Sequence, residues 1–170
     1  MSALCAKAFG ATKVFLTDIN ESRLKLASEL GADGVFVIDT KNFNDKEMAQ
    51  KIRKELSADC LGADVTIECT GVESSVCLAI HATKSGGKVG IVGLGADSRI
   101  PLSSAAMREV DLIGVCRIKD DYELAIQLIS SGKLNVKPLI THKFKIQEAI
   151  EAFNLLRSGA EGVVKVLIQY

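Results

Sequence analysis

Short apolar runs alternate with longer amphipathic stretches along this chain, and Gly, Asp, Asn or Ser marks nearly every change. The runs "VFL", "VFVI", "VTI", "VGIV" and "LIGV" predict strands over 13–17, 34–38, 64–69, 88–92 and 111–116. Apolar residues at helical spacing between them predict helices over 21–30, 45–56, 73–83 and 120–130. The strand runs are almost unbroken by polar residues, which implies burial on both faces and a mostly parallel sheet between helical layers. In "NESRLKLASELGA", Asn20 suits an N-cap and Glu21 the first turn, while Leu24, Leu26, Ala27 and Leu30 form an apolar face and Gly31 supplies the stop.

The two ends depart from this rhythm. "SALCAKAFGA" sets Ala3, Leu4, Ala6, Ala8 and Phe9 at helical spacings ahead of Gly10, so the chain is expected to open in the back half of a helix. In a doubly wound α/β fold with strand order 3-2-1-4-5-6, that places it after strand 1 and the glycine-rich loop, as a truncated sheet. Beyond 133, Pro138 marks a connection, followed by a strand near 140–144, a helix over 147–156 and a last strand over 162–168. The expected division is therefore a truncated dinucleotide-binding domain over 1–133 and a segment over 134–170 that returns towards a neighbouring domain.

Composition narrows the function classes. With 170 residues and 48% hydrophobic content, one ordinary domain with a real core is the prior. The 21 Lys and Arg balance 21 Asp and Glu, which leaves no net charge to gather nucleic acid or an anionic membrane surface. No apolar run reaches the roughly 18 residues of a membrane span, and the opening residues lack a secretory or transit signal, so a cytoplasmic location is expected. Five scattered cysteines suit reduced thiols, and with His81 and His142 far apart they lack the paired ligand spacing of a zinc site.

The chemistry-bearing candidates fall at strand ends. Asp18 closes "VFLTD", where a carboxylate can accept hydrogen bonds from both ribose hydroxyls and repel a 2′-phosphate, favouring NAD over NADP; a turn-forming acid is the equal alternative. Arg23 suits either stacking on adenine or plain solvation on a helix. "GGKVGIVGLGAD" is not the G-x-G-x-x-G fingerprint, because Gly93-Leu94-Gly95 is followed by Ala96, Asp97 and Ser98. It is either a glycine-rich turn or a strand end whose small residues let backbone approach a flat ligand. "ECTG" at 68–71 and "GVCRIKDD" at 114–121 end neighbouring strands, and ligands of open α/β sheets bind at such edges. No Ser-His-Asp or Cys-His grouping is evident.

Taken in series, "ALCAKAFGATKVFLTDINESRLKLASELGAD", "VTIECTG", "GGKVGIVGLG", "IPLSSAAMREVDLIGVCR" and "NVKPLITHKFKIQEAIEAFNLL" resemble the zinc-dependent medium-chain dehydrogenases, within them the sorbitol dehydrogenase group. The resemblance implies a Rossmann fold, NAD as cofactor and a small polyol or ketose as substrate. It implies that Asp18 and Arg23 hold the adenosine ribose and adenine. Val92, Gly93, Leu94, Val115, Cys116 and Arg117 would line the nicotinamide end, and Arg117 would also reach the polyol hydroxyls. Cys116 stands where an aromatic residue is common in that group and Ile118 where a tyrosine often meets substrate, so substrate preference is left open. The family's catalytic zinc ligands lie upstream of the matched region, which implies the cofactor half of an oligomeric enzyme without turnover on its own. A non-catalytic short form that pairs with full-length subunits through a sheet edge near 111–115 is the alternative, and a Rossmann-like methyltransferase a third.

Overall fold

The computed structural model describes residues 1–56 and 58–170. In chain order the elements are α1 (Ser2–Ala8), β1 (Phe15–Asp18), α2 (Glu21–Glu29), β2 (Gly34–Val37), α3 (Asp45–Leu56), β3 (Ala63–Glu68) and α4 (Glu73–Ala82). They continue with β4 (Thr83–Ile91), α5 (Leu102–Met107), β5 (Asp111–Gly114), α6 (Tyr122–Ser130), β6 (Ile140–Lys145), α7 (Ala149–Ser158) and β7 (Lys165–Gln169). All pairings between these strands are parallel, which agrees with the α/β class expected from the unbroken apolar runs. The chain forms two compact units, one of Met1–Ile38 with Asp120–Tyr170 and one of Asp39–Lys119.

In the first unit, β1 pairs with β2 from Phe15 opposite Gly34 to Asp18 opposite Val37. Helix α2 packs on both strands through Leu24, which is buried. Its start follows the capping rule: Asn20 Oδ1 accepts the Arg23 N–H at 3.2 Å, and Gly31 beyond its end adopts φ +94°. Strand β1 begins two residues later than predicted because Val14 donates its N–H to the Asp33 carboxylate at 2.6 Å, outside the β1–β2 ladder. Lys7 on α1 pairs with the same carboxylate, and these two contacts hold the Asp33 carboxyl below its ordinary pKa. In the later part of the unit β6 and β7 form a parallel pair with α7 against them, and Leu139 and Ala152 are buried there.

The second unit holds a sheet of order β3-β4-β5. Strand β4 starts five residues before its predicted position, since α4 runs directly into it at Thr83. The Thr83 hydroxyl, fully buried, bonds the Ala79 carbonyl at 2.8 Å and shares a 2.7 Å contact with the Thr66 hydroxyl. Helix α5, six residues long, carries too short a pattern for periodicity to reveal. Helix α4 lies against β3 and β4, and Val76, Ala79, Ile80, Val89, Ala105 and Val110 make one core. Ile80 and Val89 are fully buried, each stabilising the fold by about 1.5–3 kcal/mol.

Burial on both faces is not what this unit shows. Val65, Ile67 and Ile113 are 58%, 43% and 45% exposed. The period-2 alternation of a strand explains the split: Val89 and its register partner Leu112 face α4, so Val65, Ile67 and Ile113 point to the opposite face. At the end of α4, Arg108 donates to the Ile80 and Thr83 carbonyls at 2.7 Å each and Arg53 to the His81 carbonyl, placing positive charge at the negative pole of the helix.

Candidate functional site

Strand register sets the candidate positions before any side chain is considered. Glu68, Ile91 and Gly114 stand side by side across β3, β4 and β5, so the segments 69–71, 92–95 and 115–117 leave one carboxyl edge together. In an open parallel sheet this edge is where ligands bind. Val92, Leu94, Val115, Cys116 and Arg117 are all exposed there, with Leu94 at 95%. Arg117 takes φ +53°, a left-handed conformation uncommon for a side chain of its size. The Val115 N–H still donates to the Ile91 carbonyl at 3.0 Å, so the departing segment is fixed at its root.

The backbones at this edge approach very closely. A Cβ on Gly93 would fall 2.6 Å from Glu68 Oε2 and against the Gly71 nitrogen, and one on Gly95 would meet the Gly71 carbonyl. Gly71 itself has φ +73° and lies against Leu94 and Gly95. Here the glycines permit one loop to seat on another, so the close backbone approach at "VGLG" is to protein.

The residue organising the contact is Glu68, which the sequence sets at a strand end in "ECTG" on this same edge but gives no role. It is 2% exposed. Its Oε1 accepts from the Thr70 N–H at 2.8 Å, the Thr70 hydroxyl at 2.5 Å and the Ser75 hydroxyl at 2.8 Å, and its Oε2 accepts from the Gly71 N–H at 2.9 Å. Its main-chain carbonyl accepts the Val92 and Gly93 N–H groups, both at 2.9 Å. Burial pushes the carboxyl pKa up, but the Thr70, Gly71 and Ser75 donors outweigh it, and the group titrates below the ordinary value. An acid closing a strand two residues before a hydroxyl and three before a glycine was the available signal.

In the other unit, Asp18 ends β1. Oδ1 accepts the Asn20 N–H at 2.9 Å and lies 3.6 Å from Arg23 Nη1, and the side chain is 28% exposed. The local turn and the ion pair both use Oδ1. Arg23 is directed at Asp18 while half of its side chain is exposed.

The remaining candidates have structural surroundings. His81 lies 3.6 Å from Asp45, and burial lowers its pKa against the opposing pull of that carboxylate. His142 contacts the Thr141 hydroxyl at 3.0 Å within β6. Among the described residues the cysteines form no disulfide, and no group of three or more His, Cys, Asp or Glu is placed to hold a metal ion. The donor set of the described residues therefore does not fit a zinc site. Among the described residues no helix is long and apolar enough to cross a membrane.

Comparison with known proteins agrees with this arrangement. Residues 1–131 match the family model described as zinc-binding dehydrogenase. Sorbitol dehydrogenase of Bos taurus is 44% identical and that of Mus musculus 45% identical, each over 99% of this chain. The chain spans 46% of the length of each of these two relatives. Among solved structures, a putative zinc-binding dehydrogenase from Sinorhizobium meliloti 1021 bound to NADP superposes with a TM-score of 0.85 at 26% identity, over 99% of this chain and 48% of that one. With parallel strands, the aligned carboxyl edge and a family match over residues 1–131, the chain belongs to the zinc-binding dehydrogenase family.

Proposed function

We propose that this chain is the coenzyme-binding part of an NAD-dependent polyol dehydrogenase, which oxidises a secondary alcohol to a ketose by hydride transfer to NAD. Two observations support the reading at different levels: the relatives named sorbitol dehydrogenase point to the substrate class, and the Asp18 carboxylate points to the coenzyme. The second carries it. A partly exposed carboxylate at the end of a parallel strand, engaged by its own turn through Oδ1, suits the paired hydroxyls of a ribose and repels a 2′-phosphate.

Arg23, tethered beside Asp18, would cover the adenine side. Val92, Gly93 and Leu94, with Val115, Cys116 and Arg117, would shape the nicotinamide end, and Arg117 would donate to polyol hydroxyls. When bound, NAD supplies a hydride acceptor; the residues of this chain orient it and keep water from its reactive face. The exposed apolar side chains Val92, Leu94 and Val115 suit that second task. Strand β5 is an outer strand of its sheet with Ile113 and Val115 exposed, which supports association of copies through that edge.

Thermal shift with NADH, NADPH and S-adenosylmethionine tests the reading. A ligand at 100 times its dissociation constant adds about 2.7 kcal/mol of stability. The expected result is stabilisation by NADH at concentrations where NADPH has little effect. Equal response to NADPH, or response to S-adenosylmethionine alone, would overturn the assignment.

A further inference from the structure

We propose that Glu68 is a positioning residue that sets the nicotinamide end of the coenzyme site by locking the β3–α4 turn to the segment after β4. The inference rests on the coenzyme reading above and adds to it a residue that touches no ligand.

Glu68 joins two backbones in two ways. Its carbonyl binds the N–H groups of Val92 and Gly93, and its carboxylate binds Thr70, Gly71 and Ser75. The turn so fixed presses Gly71 onto Leu94 and Gly95, with no space for a Cβ on Gly93 or Gly95. A shift of the turn must therefore move residues 93–95, because close-packed backbone has no slack to absorb it. Leu94, at the tip of that segment, is 95% exposed and free to meet a ligand, whereas its flanking glycines are clamped. Every side-chain partner of Glu68 is a neutral donor, and a carboxylate accepts from all four at once. A glutamine of equal size offers one acceptor oxygen and turns an NH2 group towards the remaining donors, so the lock is specific to the acid.

The test compares the full chain with Glu68→Gln and with Thr70→Val and Thr70→Ser. Two measurements are made on each: hydrogen exchange of the backbone amides, and binding of NADH and of ADP-ribose, which lacks the nicotinamide ring. In Glu68→Gln the amides of 70–71 and 93–95 should exchange about tenfold faster while those of 15–29 are unchanged, and Thr70→Ser should behave as the parent where Thr70→Val does not. NADH affinity should fall about tenfold with ADP-ribose affinity preserved. Unchanged exchange at 93–95, a uniform rise throughout residues 39–119, or equal loss of NADH and ADP-ribose binding would overturn the positioning role. A parent chain that binds neither ligand would overturn the coenzyme reading, and the exchange pattern tells that failure apart from failure of the lock itself.

Discussion

Asp18 and Glu68 occupy equivalent places in their strands and have opposite surroundings. Each is the last residue of a parallel strand, and each is followed within five residues by a helix that starts with a glutamate. Yet Asp18 is 28% exposed and receives one backbone hydrogen bond, whereas Glu68 is 2% exposed and receives four hydrogen bonds through its carboxylate. A strand-terminal acid can thus stay partly exposed or be enclosed by its own turn. What decides is how many local donors reach it: Asp18 meets the N–H of Asn20, while Thr70, Gly71 and Ser75 fold back over Glu68.

The sharpest way to break this contrast is Glu68→Ala. It strands two N–H groups and two hydroxyls in a closed turn, and a loss of about 3 kcal/mol or more is expected in urea unfolding, at about 1–3 kcal/mol per orphaned buried donor. A loss below about 1 kcal/mol would put Glu68 in the same class as Asp18. Next in size, Asp18→Ala should weaken NADH binding about 10- to 100-fold by calorimetry, since hydrogen bonds to a charged group contribute about 1.5–3 kcal/mol, with unfolding changed by less than about 1 kcal/mol. Unaltered NADH affinity would make Asp18 a turn acid.

Asn20→Ala should cost about 1 kcal/mol by removing the α2 cap, visible as a lower unfolding midpoint. The same variant should also loosen Asp18 and Arg23, because all three share one turn. The smallest effect is the acid limb of Glu68. Its folded pKa lies below the unfolded one, about 4.3, so the stabilisation relative to Glu68→Gln is complete above that value and is lost as pH falls through the folded pKa. Stability curves of the two proteins should run parallel from about pH 5 to 8 and converge below about pH 4. Convergence on the alkaline side instead would mean that the carboxyl is raised by burial.

The order and type of the main elements were legible because apolar period and helix punctuation are local. Helix α3 matches its predicted span of 45–56, and Asn20 caps α2 as its chemistry suggests. Helix α5 and the early start of β4 were not legible, the first because six residues hold too little periodicity and the second because Thr83 is recruited by Ala63 and Thr66 from another strand. The candidate site divides similarly. The sequence placed Asp18 and the segments after β4 and β5 at strand ends, where they lie, but gave Glu68 no role, because the Thr70, Gly71 and Ser75 donors converge on it only after the turn has closed.

By itself the sequence determined the order and type of the main strands and helices, that the strands pair in parallel, and that an acid and small residues occupy strand ends. These follow from side-chain periodicity and backbone preference, which act over a few residues. Only the tertiary structure decided which face of β3 is covered and why Gly71, Gly93 and Gly95 lack side chains. Those outcomes depend on register and on contacts between segments more than twenty residues apart, where close packing and hydrogen-bond satisfaction, not local preference, select the arrangement.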